Sequence, residues 1–212
     1  CSGYDKNIMR QTSKSMKGLG VIMNTNLAYQ EYFQEELIDG KIVAMSPRPA
    51  FNHNQISSNI YRLFANHLKK RKCTAIADGM DLYLTEKDHF VPDGMIVCDK
   101  NKIKANGVHG APDLVVEVLS PSTMKNDRTH KKDVYEQCGV REYWIVSPES
   151  KSIEQYLLED GKFTLHEVYA IRPDYELEMM KEEERAALVT AFKCSLYDDL
   201  LIELDEVFAD MI

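Results

Sequence analysis

The segment Leu114-Val115-Val116-Glu117-Val118-Leu119 is apolar except for one carboxylate. An almost unbroken apolar run is how a strand covered on both faces reads. A lone carboxylate buried in such a strand is costly unless it meets a metal, a cation or a cluster of donors. Val91-Pro92-Asp93-Gly94-Met95-Ile96-Val97 places a second acid in an apolar run. Pro92 has no N–H and suits an edge or distorted strand position, where Asp93 can turn toward a pocket. Two acids on adjacent strands can share one hard cation through oxygen ligands, which suits Mg2+ or Mn2+. The competing reading of Glu117 is a strand-end acid bridged to an Arg or a Lys. Pro112-Asp113 repeats the Pro-Asp pair, and there the Asp, at a strand start, reads as a turn residue.

Lys131 supplies a cation. Val134, Tyr135 and Cys138 follow it at helical spacing, so it lies on the stripe that faces inward. Asp127, one turn earlier, can pair with it, while Lys132 falls toward solvent. An inward Lys131 could orient an attacking water or offset charge developing on a phosphate; the alternative is a stem lying along the surface with its ammonium wet. His53 precedes Ile56 and Ile60 at helical spacing and also faces inward. It could touch substrate, help hold Glu36, or be a hydrogen-bonded core histidine.

These side chains need elements to carry them. Glu36 to Met45 reads as a hairpin turning at Asp39-Gly40 and ended by Pro47 and Pro49. An amphipathic helix is expected over 53–70, with Asn52 as its N-cap. Strands are expected over 80–84, 90–98 and 114–119. A helix should start at Pro121-Ser122-Thr123 and run to Cys138, with Gly139 as its left-handed cap, and Tyr143 to Val146 follows as a strand. Asp160-Gly161 turns a second hairpin, and Leu200 to Leu204 is a final strand. Residues 1–28 read as a flexible arm and 29–212 as a single α/β domain, one mixed central sheet flanked by helices, with the first hairpin as an addition.

The chain has 212 residues, 44% apolar and 28% charged, which suits one soluble core. No run approaches the roughly 20 apolar residues of a membrane helix, so no membrane partner is expected. The first residues lack a secretory layout. Cys1 also matches the start of a mature lipoprotein, but a cytoplasmic location is the expectation. The five cysteines are scattered without a CxxC pair and read as reduced thiols. A net charge of −8 argues against strong indiscriminate DNA binding. Yet Lys125 to Lys132 is locally basic, and Lys125 and Arg128 could form a rim that admits a polyanion beside the acids. Lys69 to Lys72 is basic too and reads as a solvated helix end, while Asp174 to Glu184 is acidic.

Several strings together resemble the Uma2 (DUF820) branch of the PD-(D/E)xK nuclease superfamily. They are Glu36-Leu37-Ile38-Asp39-Gly40 with Met45-Ser46-Pro47, His53 opening a helix, Pro92-Asp93, and the long string Pro112 to Thr123. Asp127 with Lys131 and Tyr135, Gly139 to Trp144, and Leu204 to Phe208 complete the match, over roughly residues 29 to 208. The resemblance implies a restriction-endonuclease-like core and a metal-dependent endonuclease acting on nucleic acid, DNA above all. Asp93 and Glu117 would be metal ligands, with the backbone carbonyl of Val118 a third, and Glu36 an accessory acid. Leu119 stands where the D/ExK motif has its lysine; Lys131, on the following helix, matches the displaced lysine of this branch. The resemblance also admits a homodimer, because nucleases of this superfamily that cut both strands often pair. The alternatives are a nucleic-acid-binding module of the same fold without turnover, and a structural role in which Glu117 and Lys131 merely pair.

Overall fold

Asp39 and Gly40 have φ of 50° and 74°, the left-handed pair that a two-residue hairpin turn requires. They fold β1 (Glu35–Ile38) back on β2 (Lys41–Ala44) with Ile38 opposite Lys41, the hairpin expected from the sequence. The computed structural model describes residues 35–44 and 50–212. The arm over 1–28, Met45-Ser46 and the prolines expected to end the hairpin lie outside the described residues.

After the hairpin come α1 (Phe51–Leu68), β3 (Thr74–Ala77), β4 (Leu82–Tyr83), β5 (His89–Phe90) and β6 (Gly94–Val97). Next are β7 (Ile103–Lys104), β8 (Gly107–His109), β9 (Leu114–Val118), α2 (Met124–Arg128), α3 (His130–Cys138) and β10 (Glu142–Ser147). The chain closes with β11 (Ser152–Glu159), β12 (Lys162–Ala170), α4 (Asp174–Met179), α5 (Glu182–Ala186), β13 (Ala191–Lys193), β14 (Leu201–Glu203) and α6 (Leu204–Val207). The central sheet runs β12-β11-β10-β9-β6-β3. Its β9–β10 pair is parallel and joined by α2 and α3; its other neighbours are antiparallel.

Alternation along β9 sends side chains into two cores. Leu114, Val116 and Val118 pack with Ile96, Trp144 and the α1 residues Ile56, Ile60 and Phe64. Val115 faces the other way, with Met95, Val97, Tyr143, Ile145 and the α3 residues Val134 and Tyr135. Both faces of the strand are therefore covered, which explains its unbroken apolar reading. Glu117 has the parity of Val115 and points to the α3 side.

The mixed central sheet flanked by helices is the fold class expected from the sequence, and the added hairpin is part of something larger. The hairpin belongs to a second six-stranded sheet, β2-β1-β5-β4-β8-β7. Its Leu82, Phe90 and Val108 are fully buried and complete the α3-side core. The strand expected over 90–98 is consequently broken. β5 belongs to the second sheet and β6 to the central one; between them the Val91 N–H donates to Glu36 Oε1 at 3.0 Å and Pro92 has no N–H to give. Asp93 sits where the chain passes from one sheet to the other.

The helix expected from Pro121 to Cys138 is two helices. Thr129, at φ −122° and ψ −97°, breaks it, and its hydroxyl donates to the Lys125 carbonyl at 2.7 Å. Gly139 closes α3 at φ 87° as expected. Asn52 does not cap α1: Ala50 holds that position without a side-chain bond, and Asn52 instead ties down Ile212 through its carbonyl and N–H. The cysteines differ as well. Cys73 and Cys98 flank the paired positions Thr74 and Val97, so the register of β3 on β6 brings them together as a disulfide; Cys138 and Cys194 are free. Lys69 to Lys72 is an exposed helix end, where Arg71 pairs with Asp199 at 2.6 Å. The acidic segment forms α4 and α5, neither of which has a buried residue.

Glu142 anchors the C-terminal part of the fold to the α1-side face. It is fully buried and accepts from Trp144 Nε1 and Gln155 Nε2 at 2.6 Å, and from Ser195 N at 2.9 Å and Ser195 Oγ at 2.5 Å. Each buried donor left without a partner costs about 1–3 kcal/mol. Glu142→Ala should therefore lower the unfolding free energy by roughly 3 kcal/mol or more. Urea unfolding measures it, and a loss under about 1 kcal/mol would refute the anchoring role.

Candidate active site

Tyr135 lies one helical turn beyond Lys131 on α3, so both reach down onto β9. They meet Glu117, whose Oε1 accepts from Tyr135 Oη at 2.7 Å and from Lys131 Nζ at 3.2 Å. The Lys131 ammonium also lies 2.9 Å from Glu36 Oε1 and 3.3 Å from Asp127 Oδ1. Relative exposures are 2% for Lys131, 3% for Glu117, 4% for Glu36 and 1% for Asp127. Its three N–H groups thus face three carboxylates, one from each sheet and one from α2. The wet-stem reading of Lys131 does not hold.

Asp93 immediately precedes the neighbouring strand, β6. Gly94 pairs with Val116, and that antiparallel register runs on to set Asp93 across from Glu117. Asp93 Oδ2 accepts the Val118 N–H at 2.6 Å, and Oδ1 lies 3.4 Å from His53 Nε2. His53 therefore serves Asp93 and not Glu36, whose contacts are Lys131 and the Val91 N–H.

Burial by itself would lower the Lys131 amine, but Glu117, Glu36 and Asp127 outweigh it and hold the amine well above its ordinary range. Burial pushes the Glu117 carboxyl well up; Lys131 offsets this in part, while Asp127, Asp93 and Glu36 add to it. Asp127 is likewise raised by burial, against the pull of Lys131. One ammonium thus stands against three buried carboxylates. Burial and then the Glu117 charge keep Tyr135 a neutral phenol, a donor to the carboxylate. Burial would lower His53, but Asp93, Asp78 and the Val118 backbone raise it.

The arrangement suits a divalent cation on two counts. Carboxylates outnumber cations in a buried space, so positive charge is wanting there. Both donors to Glu117 take Oε1, and among the described residues none donates to Oε2. Asp93 lies across from Glu117 and accepts the N–H of Val118, so the two acids and this stretch of β9 backbone are neighbours. No cluster of three or more His, Cys, Asp or Glu with metal-holding placement occurs among the described residues; the expected set has two acids and a main-chain oxygen.

The basic rim is less organised. Arg128 is exposed on α2 and tied to Glu154 Oε1 at 2.7 Å, and Lys125 is exposed beside it. Neither touches the acids. Lys132 places its ammonium 4.1 Å from the centre of the Tyr156 ring instead of pointing freely into solvent. One acid escaped the sequence reading. Asp78, just after β3, has its carboxyl raised by desolvation and then by the charge of Asp93. It stands in a polar turn with no periodic signal.

A mixed α/β core carries these acids and the inward lysine of α3. A family model described as "Uma2: Putative restriction endonuclease" matches residues 27–186. The uncharacterized Synechocystis protein slr1290 is 33% identical over 140 residues, covering 61% of this chain and 73% of its own. A second uncharacterized Synechocystis protein, sll1609, is 27% identical over 153 residues, covering 70% and 86%. The crystal structure of "a putative nuclease belonging to DUF820" from Anabaena variabilis superimposes with a TM-score of 0.61 at 20% identity, covering 82% of this chain and 89% of that one. This chain belongs to the Uma2 family.

A carboxyl raised in the folded state stabilises the fold while protonated. That contribution is present below the unfolded-state pKa and is lost as pH rises through the folded-state value. Glu117→Gln keeps the shape and removes the charge. With EDTA at pH 8 it should melt about 2–4 °C above the parent, the shift that roughly 1 kcal/mol gives in a chain of this size. The margin should narrow as pH falls toward about 4.3, the ordinary Glu value. Calorimetry across pH checks this; a variant less stable than the parent at pH 8 would contradict the charge excess.

Proposed function

We propose that this protein is a metal-dependent endonuclease of the PD-(D/E)xK type that hydrolyses phosphodiester bonds of nucleic acid, DNA in the first instance. The observation that carries the reading is the pair of acids at neighbouring central strands, set in a buried excess of negative charge beside one protonated lysine. Family membership supports it.

Asp93, Glu117 and the Val118 carbonyl would hold Mg2+ or Mn2+. A divalent ion bound there supplies Lewis acidity toward a phosphate oxygen and a more acidic water. The protein's own groups set the rest. Lys131 is held protonated and therefore acts as a fixed positive charge and donor, not as a base. Its ammonium donates to Glu117 and is ion-paired with Glu36 and Asp127, so donation to a phosphate or a water requires one carboxylate to yield. Glu36 and Asp127 keep the ammonium in place when Glu117 yields. His53 holds Asp93 through Oδ1. Arg128 and Lys125, on the exposed face of α2, would meet the substrate backbone, with Arg128 exchanging Glu154 for phosphate. As charge-assisted contacts at an exposed rim, they make binding weaken with added salt.

Supercoiled-plasmid nicking with and without Mg2+ or Mn2+ tests the proposal. Asp93→Ala should lose more than the ~10–100-fold that removal of an outer-shell partner costs. Nicking unchanged in Asp93→Ala, or equal with EDTA, would remove the assignment. Metal-independent retention of DNA without nicking would favour a binding module of the same fold.

A further inference from the structure

Glu117 is held asymmetrically. Tyr135 Oη at 2.7 Å and Lys131 Nζ at 3.2 Å both bond Oε1, and among the described residues none bonds Oε2. Tyr135 is fully buried, and its ring is fixed edge-on to Phe90 at 5.5 Å and tilted against Tyr143 at 5.1 Å. Its phenol oxygen is therefore held in a fixed place, 2.7 Å from Glu117 Oε1. Lys131 cannot fix Glu117 alone, because its ammonium is shared with Glu36 and Asp127. Neighbouring Tyr143 is just as buried, but its hydroxyl donates to the Asp127 carbonyl at 2.9 Å and so does not bear on Glu117.

We infer that Tyr135 is a positioning residue for the metal site: by occupying Oε1 it turns Oε2 of Glu117 toward the cation and makes Glu117 a one-oxygen ligand. The inference rests on the metal-site reading proposed above. A carboxylate free to rotate could offer either oxygen or both. Pinned by a buried phenol, it offers one in a fixed direction, which lowers the ordering cost of binding and favours a small octahedral ion. Tyr135 touches neither substrate nor ion, so its effect reaches the site only through Glu117.

The test is Mn2+ binding by calorimetry on the whole protein, comparing the parent with Tyr135→Phe and Tyr143→Phe. Tyr135→Phe keeps the ring and removes the donor; it should weaken Mn2+ binding by at least ~10-fold, as loss of an outer-shell partner does. Tyr143→Phe should leave the affinity within about twofold, well below that outer-shell cost. A purely structural role for Tyr135 predicts a lower melting temperature with unchanged Mn2+ affinity, and that result overturns the inference. If the parent itself binds no Mn2+, the metal-site reading fails and this inference goes with it. A crystal of the parent soaked in Mn2+ decides the matter even if Tyr135→Phe does not fold. An ion on Oε2 alone, with Tyr135 still bonded to Oε1, supports the inference; an ion bridging both oxygens or sitting on Oε1 overturns it.

Discussion

A single ammonium, buried among acids that it cannot fully neutralise, organises this protein. Removing the Lys131 charge from water costs several kcal/mol, and only close carboxylates repay it. Those carboxylates come from separate parts of the chain. Glu117 comes from the central sheet, Glu36 from the second sheet and Asp127 from α2. The lysine thus ties together elements that the backbone ladders leave apart. The local irregularities serve the same end. The step at Val91-Pro92 brings the second sheet against the first where Asp93 emerges.

Two buried glutamates show how such a cluster differs from an ordinary polar staple. Glu142, on the α1 side, is surrounded by donors that need no net charge to be useful: an indole N–H, an amide, a hydroxyl and a backbone N–H. Nothing about it calls for a further partner. Glu117, on the α3 side, has donors on one oxygen only and other carboxylates as neighbours. Both interrupt or border apolar strands and look alike along the chain. The balance of donors to charges separates the acid held by neutral donors from the one set among other carboxylates.

The electrostatics of the surface follow the same division of labour. A net charge of −8 repels a polyanion at long range, so any nucleic-acid contact depends on local cations. The exposed face of α2 offers Lys125 and Arg128, carried by the helix whose buried side bears Asp127. One short helix therefore links the outer basic rim to the inner acidic cluster.

Much of this was legible in the sequence because hydrophobic period and turn chemistry are local. Asp39-Gly40 and Asp160-Gly161 marked their hairpins through the positive φ that those residues tolerate. The apolar run around Glu117 marked a covered strand, and the spacing from Lys131 to Tyr135 marked an inward stripe. What depended on contacts between distant segments was not legible. The chain does not say that Glu36 reaches Lys131, that His53 serves Asp93 and not Glu36, or that the charge of Asp93 acts on Asp78. Nor does it say that β5 leaves the line of β6 for another sheet, or that Cys73 and Cys98 meet. The residue types and their faces are written in the order of the chain, because each follows from neighbours a few positions away. Which oxygen meets which proton was decided only when strand register and helix packing brought far-apart residues within about 3 Å, the range where hydrogen bonds and ion pairs act.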